Sequence, residues 1–244
     1  MQNRKIKSVL IESLVFLLLF SLTGCANSHH SKSKSGSEST TKIAFFGDSI
    51  TEGLISPNRH TQKNYPWWVG ETLNRKVANF GRDGGMISGN QANDLFPSIK
   101  KTNLVNFSTI VISAGVNDYL GNRDLNKVVL NLDRSIRYLR KKNPKALIIG
   151  VLPLNSFKVS VPTSNTVGDA MTVKNNANYN ENGLCDNLKL VYQKYKVPVL
   201  DWRSDPVITS SNVSKLTWDG VLHPNNKGYH IVGLRVAAFI LQNS

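Results

Sequence analysis

Acidic residues are scarce in this chain: 16 Asp and Glu stand against 30 Lys and Arg over 244 residues, a formal charge of +14 at pH 7. The bias is not made at the N-terminus, where Arg4, Lys5 and Lys7 stand beside Glu12. A basic chain attracts nucleic acid, anionic head groups or anionic wall polymers. Here the basic residues are scattered and no tract interleaves them with aromatics, so no nucleic-acid partner is expected and the charge reads as a solvated surface. Cysteine is nearly absent too. Cys25 and Cys185 are too few for a disulfide framework in a chain of this size. There is no long apolar run: Val9–Leu22 is the longest, and Glu12, Ser13 and Ser21 interrupt it. A spanning helix needs about 20 residues. No Asp, Glu and His residues stand at metal-ligand spacing, so neither a metal nor another cofactor is expected. The Gly-x-Ser-x-Gly elbow of one large esterase group is missing as well.

What is present divides into three parts. Residues 1–25 carry a basic start, a short apolar core and the ending Leu22-Thr23-Gly24-Cys25, the pattern of a secretory signal peptide. Small residues before the cysteine resemble the lipobox of bacterial lipoproteins. The resemblance implies lipidation of the Cys25 thiol by a diacylglyceryl group, cleavage before it, and anchoring to the outer face of the bacterial cell membrane. A plain signal peptide or an uncleaved anchor with an incidental cysteine is the alternative. Residues 26–41 are almost all Ser, Thr, Lys, His, Gly and Asn, too polar to fold, and read as a flexible tether with His29 and His30 in solvent.

Residues 42–244 alternate short Val- and Ile-rich runs with amphipathic stretches. Strands are expected at Ile43–Phe46, Val77–Phe80, Thr109–Ala114, Ala146–Leu152 and Val197–Leu200. Helices are expected at Pro66–Arg75, Leu125–Lys142, Asn176–Tyr195 and Asn225–Leu241, the second stopped by Asn143-Pro144. This alternation predicts one α/β domain with a parallel sheet covered on both faces. Cys185 falls within a helix as a small buried hydrophobe. Pro153–Asn175 shows no periodicity and follows a strand end, where ligands bind in open α/β sheets; it is either functional or a surface insertion.

Three motifs lie at the ends of these strands, and a fourth lies near the C-terminus. The first strand runs into Gly47-Asp48-Ser49, setting a serine hydroxyl near a helix N-terminus that favours negative charge. Read alone, Ser49 could equally be a helix cap. The second strand leads to Gly81-Arg82-Asp83-Gly84-Gly85, a turn able to bring backbone N–H groups close to a ligand. The third leads to Gly115-Val116-Asn117-Asp118, and Trp218-Asp219-Gly220-Val221-Leu222-His223-Pro224 precedes the last helix.

In this order the four motifs resemble the SGNH, or GDSL, serine hydrolases over residues 42 to 241. The resemblance implies a three-layer α/β/α sandwich around a mostly parallel, flavodoxin-like five-stranded sheet. It also implies Ser49 as nucleophile, His223 as general base, and an oxyanion hole formed by the Ser49 and Gly84 N–H groups and the Asn117 amide. The family's orienting aspartate lies three residues before its histidine, whereas Asp219 lies four before His223. Asp219 is expected in that role; a backbone carbonyl, Asp201 or Asp205 could serve instead. Asp48 and Asp118 are expected to fix turns, and His230 to pack or face solvent. Arg59 and His60 read as surface loop, with substrate contact as the alternative. One ring of Trp67-Trp68 is expected in the core and the other free to stack on a sugar.

The implied function is an extracytoplasmic ester hydrolase forming an acyl-enzyme on Ser49, acting on O-acetylated carbohydrate or other short-chain acyl esters. Three other readings compete: a lysophospholipase or lipase, an O-acyltransferase to wall glycan, and a catalytically silent binding lipoprotein.

Overall fold

A computed structural model describes residues 39–162 and 164–244; the leader, Cys25 and most of the expected tether lie outside them. The described chain opens with β1 (Ser39–Gly47), so the backbone of the tether's last three expected residues belongs to a strand. Next come α1 (Ser49–Glu52), an antiparallel pair β2 (Leu54–Ser56) and β3 (Arg59–His60), α2 (Tyr65–Leu73) and β4 (Arg75–Asn79). The middle of the chain gives α3 (Leu95–Lys101), β5 (Phe107–Ser113), α4 (Val116–Leu120), α5 (Leu125–Lys142) and β6 (Leu147–Val151). A small antiparallel pair, β7 (Val159–Ser160) and β8 (Val167–Gly168), precedes α6 (Glu181–Lys194), β9 (Val199–Leu200), α7 (Val213–Leu216) and α8 (Asn226–Gln242).

The central sheet has the order β4-β1-β5-β6-β9, with every neighbouring pair parallel. Successive strand residues face opposite sides, and here both sides are apolar. Phe46, Ile110 and Ile112 pack with Leu132, Ile136, Leu188 and Tyr192 of α5 and α6. Ile43, Phe45, Val111 and Ile149 pack with Val69 of α2 and Val232 and Val236 of α8. The result is the expected α/β/α sandwich. Among the described residues, no helix is long and apolar enough to cross a membrane.

Most expected elements form, with shifted ends. α5 spans Leu125–Lys142 and stops at Asn143 as expected; Asp124 caps its start. α6 begins at Glu181 rather than 176, because Asn180 caps it by accepting from the Gly183 N–H. The residues before it are held in a turn by Asn175, whose Oδ1 accepts from the Ala177 and Tyr179 N–H groups. α2 ends at Leu73, where Asn74 turns left-handed (φ 48°) and Arg75 already begins β4.

The chain leaves β1 for β4 on one side and crosses to β5 on the other. The carboxyl ends of β1 and β5 therefore flank the point where strand order reverses, the usual ligand crevice of such sheets.

Candidate active site

Gly47 ends β1 in a space with no room for a side chain: a Cβ there would lie 2.0 Å from Thr51 Oγ1 and 2.3 Å from the Ser113 carbonyl oxygen. This close approach lets Asp48 cap α1, accepting the Ile50 N–H at 3.0 Å, and makes Ser49 the first helical residue. Its N–H has no acceptor inside the helix, as in any first turn. Burial pushes the Asp48 carboxyl up to about 7 despite the Ile50 bond and the nearby His223.

The second loop is fitted to the first. Asn79 accepts the Gly81 N–H at 2.8 Å and donates to the Thr51 carbonyl at 2.6 Å. Arg82 to Gly85 form a tight turn, closed by the Gly85 N–H on the Arg82 carbonyl at 3.0 Å. Gly84 takes φ +67° there, a conformation that favours glycine. Among the described residues its N–H meets no protein acceptor. Two buried carboxylates brace the residues that follow: Asp118 accepts from Ile87 and Ser88 at 2.8 and 2.9 Å, and Asp94 from Met86 and Gln91 at 2.9 and 2.6 Å. Asp118 thus fixes a turn by accepting backbone N–H groups, as expected, and the turn it fixes is in the neighbouring loop. Asp94, at the N-cap of α3, has no motif around it in the sequence; its place before Leu95 at a helix start is the one signal of its role. Asn117, on α4, donates one amide hydrogen to the Gly85 carbonyl at 3.1 Å, which orients the amide and leaves its second hydrogen uncommitted.

The histidine loop is a closed ring of contacts. The Trp218 N–H meets the His223 carbonyl at 3.0 Å, and Thr217 bridges Pro224. Gly220 turns the chain with φ +67°. Inside the turn, Asp219 Oδ1 accepts from the Val221 and Leu222 N–H groups at 2.9 Å, and the His223 N–H lies 3.2 Å from it. The extra residue is absorbed by this turn, and Asp219 Oδ2 still stands 2.7 Å from His223 Nδ1. On the other side of the ring, Nε2 is 3.0 Å from Ser49 Oγ. Burial raises the Asp219 carboxyl, but the ring of His223 and the backbone N–H groups outweigh it and hold the group at about 2. As an anion Asp219 only accepts, so Nδ1 carries the proton and Nε2 is left to accept from the serine hydroxyl.

The structure therefore brings Ser49, His223 and Asp219 together, with Asn117 and Gly84 on neighbouring loops. Two other aspartates that could have oriented His223 are engaged elsewhere: Asp201 with Arg203 and Lys189, Asp205 with Arg235. His230 stacks on Trp68 with ring centroids 4.0 Å apart, and Cys185 is buried and free. Trp68 packs against the core, while half-buried Trp67 stands edge-on to it with Lys63 5.5 Å from its centroid. Glu52, His60 and Asp83, far apart in sequence, bring their ligand atoms within 4.8 Å of one another and could hold a cation. Each already has a partner within that group, His60 Nε2 lying 3.0 Å from Asp83. The Pro153–Asn175 segment is less irregular than expected: it holds β7 and β8, and Asp169 ties it internally to Asn155 and Met171. A cavity of about 370 Å³ lies between this segment and the loop after β9, walled by Leu154, Phe157, Met171, Trp202 and Ile208. The Phe157 N–H donates to the Val221 carbonyl at 3.1 Å, which sets this wall against the histidine loop.

Residues 45–231 match the GDSL-like lipase/acylhydrolase family. No curated protein matches the chain. Among solved structures, a carbohydrate acetylesterase (Est24) from Sinorhizobium meliloti superposes with a TM-score of 0.65 at 14% identity, covering 84% of this chain and 100% of its own. The aryl esterase of M. smegmatis gives 0.61 at 16% identity, with 83% and 99% covered. A lipolytic G-D-S-L family member from Veillonella parvula DSM 2008 gives 0.58 at 19%, with 81% and 97% covered. At these identities the likeness is one of fold.

Proposed function

The chain belongs to the GDSL-like lipase/acylhydrolase family of SGNH hydrolases and is a carboxylic ester hydrolase, and from that premise we propose that it works outside the cytoplasm through an acyl-enzyme on Ser49, removing short acyl groups such as acetyl from carbohydrate. The observation that carries the mechanism is the continuous contact Ser49 Oγ–His223 Nε2 at 3.0 Å and His223 Nδ1–Asp219 at 2.7 Å. Ser49 Oγ attacks the ester carbonyl while His223 Nε2 takes its proton. The Ser49 and Gly84 N–H groups and the Asn117 amide receive the oxyanion, each such donor contributing about 3 kcal/mol. The imidazolium returns the proton to the departing alcohol, and water, deprotonated by His223, then releases the acid and restores the serine.

Two observations support a short acyl group on a carbohydrate. Behind the nucleophile turn, the space between Asp48, Ile50, Pro153 and Trp202 is only about 10 Å³, so no acyl chain finds a slot there. A structural neighbour is named as a carbohydrate acetylesterase. The apolar cavity beside the histidine loop favours the second reading, a lipase-type hydrolase of longer acyl esters. The leader ending in Cys25 supports export and lipid anchoring.

One set of cells tests these points together, with p-nitrophenyl acetate, longer p-nitrophenyl esters and an O-acetylated glycan as substrates. Wild-type activity is expected in the membrane fraction, highest on acetyl esters. Ser49→Ala is expected to abolish it and Cys25→Ala to move it out of that fraction. Hydrolysis surviving Ser49→Ala overturns the nucleophile, and a preference for long chains favours the lipase reading. Acetate moved onto glycan rather than water identifies a transferase.

A further inference from the structure

We propose that the edge of the sheet opposite the active site docks on an anionic phospholipid surface through Lys42, Lys100, Lys101, Lys141, Lys142 and Lys145, with Val105 among them. In an all-parallel sheet every helix returns the chain to the strand starts, so one edge collects all strand N-termini and the helix C-termini that precede them. α3 ends in Lys100-Lys101, and α5 ends in Lys141-Lys142 with Lys145 just before β6. The Asn143 amide stitches the two ends together, donating to the Leu104 and Phe107 carbonyls at 2.8 and 2.7 Å. Lys42 is the register partner of Phe107, so it adjoins the same patch. All six lysines are exposed, and among the described residues none of them forms an ion pair.

Among the described residues, acidic side chains are sparse at this edge. Of the sixteen in the sequence, Glu12 and Glu38 lie outside the described residues. The rest, except Glu71 in the last turn of α2 and Asp133 midway along α5, lie on the loops and short helices at the carboxyl ends of the strands or in the first half of α6. Asp133 is neutralised by Arg137 and Lys194. Helix dipoles alone account for lysines in the last turns of α3 and α5. They do not account for Lys42 or Lys145, nor for Val105.

Val105 decides between partners. It is 74% exposed, in the short loop between α3, which ends in Lys100-Lys101, and β5, whose Phe107 is the register partner of Lys42. A nucleic acid or soluble anionic polymer would pair with the lysines and gain nothing from an exposed isopropyl group. A bilayer surface uses both, head groups for the ammonium groups and the acyl boundary for the apolar one. Docked this way, the Ser49–His223 edge faces away from the lipid. The inference needs neither the lipid on Cys25 nor the acyl-enzyme, so its failure would leave both readings standing.

The test uses a chain beginning at Ser37, since residues 37–244 form a compact unit by themselves. It is sedimented with vesicles of phosphatidylcholine, with and without phosphatidylglycerol. Binding is expected only with phosphatidylglycerol and is expected to fall as salt rises. Reversing Lys100, Lys101, Lys141 and Lys142 to Glu is expected to weaken it at least ~100-fold, at about 1 kcal/mol per lysine near such a surface. Reversing Lys127, Lys158, Lys174 and Lys215 changes net charge equally at the other edge and is expected to leave most of the binding. Val105→Asp is expected to weaken vesicle binding several-fold without changing binding to soluble polyphosphate. Hydrolysis of p-nitrophenyl acetate by each variant reports that it is folded. The proposal is overturned by absence of phosphatidylglycerol-dependent binding, by equal loss in both reversal sets, or by a Val105→Asp variant that binds vesicles as wild type does.

Discussion

The Asp219 carboxylate serves two sets of donors at once: one oxygen gathers backbone N–H groups from Val221, Leu222 and His223, and the other holds the His223 ring. An asparagine there would keep its carbonyl oxygen toward the three backbone donors and turn its NH₂ toward Nδ1. The imidazole would then have to accept at Nδ1 and carry its proton on Nε2, where it could no longer take one from Ser49. Asp219→Asn is therefore expected to fold normally and lose about 10⁴-fold in kcat. The check is p-nitrophenyl acetate turnover beside a thermal melt. Near-normal turnover in a folded variant would remove Asp219 from the catalytic machinery. The same two-sided binding explains what the sequence could show of the site. Ser49, Gly84 and Asn117 stand in short motifs at strand ends, His223 in one before the last helix, and all four are legible there. The four-residue spacing looked like a defect only because the demand of three backbone N–H groups for an acceptor is invisible in a string of side chains.

At the scale of elements, the nucleophile's helix depends on a loop far from it in sequence. A Cβ on Gly81 would sit 2.4 Å from the Glu52 nitrogen and 2.7 Å from the Thr51 carbonyl carbon, backbone atoms that cannot rotate away. Gly81→Ala is expected to lose about 1–3 kcal/mol of stability, as overpacking does. It should also lower kcat by displacing α1 against His223. Denaturant unfolding and steady-state kinetics on the same protein measure both, and an alanine variant matching wild type in each would show that α1 is not pinned by this contact. Elements of this kind were unevenly legible. α5 could be read to the residue because its apolar period is long and Asp124 and Asn143 mark both ends. α3, seven residues with a proline in its first turn, has too little period to be seen and was not anticipated. The early start expected for α6 came from apolar spacing that runs on into a turn whose fold is set by hydrogen bonds to the Asn175 side chain.

For the whole molecule, buried carboxyls set how stability responds to pH; burial raises Asp118 as well as Glu181 and Asp48. Burial pushes Glu181 up to about 8 and Asp48 to about 7, from ordinary values of 4.5 and 3.8. Between those limits the folded chain keeps protons that the unfolded chain has released, so stability falls as pH rises toward and through the folded values. Asp219, held at about 2, acts in the opposite sense: its contribution is present above 3.8 and lost as pH falls through 2. Glu181 offers a handle because it makes no contact with Ser49, His223 or Asp219; it sits at the start of α6. Its N–H donates to the Ala170 carbonyl at 2.8 Å, and its Oε2 accepts the Ser156 N–H at 3.2 Å. Ionising it places an uncompensated charge where Ser156 and Ala170 are tied to α6. Tm is therefore expected to fall steadily as pH is raised from about 6 to about 9. Glu181→Gln keeps an acceptor for Ser156 and removes the ionisation, so its Tm should fall less over the same interval, leaving the slope due to the other buried carboxyls, Asp48 foremost. Parallel melting curves for the two proteins would show that Glu181 carries no such proton, and that the alkaline loss of stability arises elsewhere.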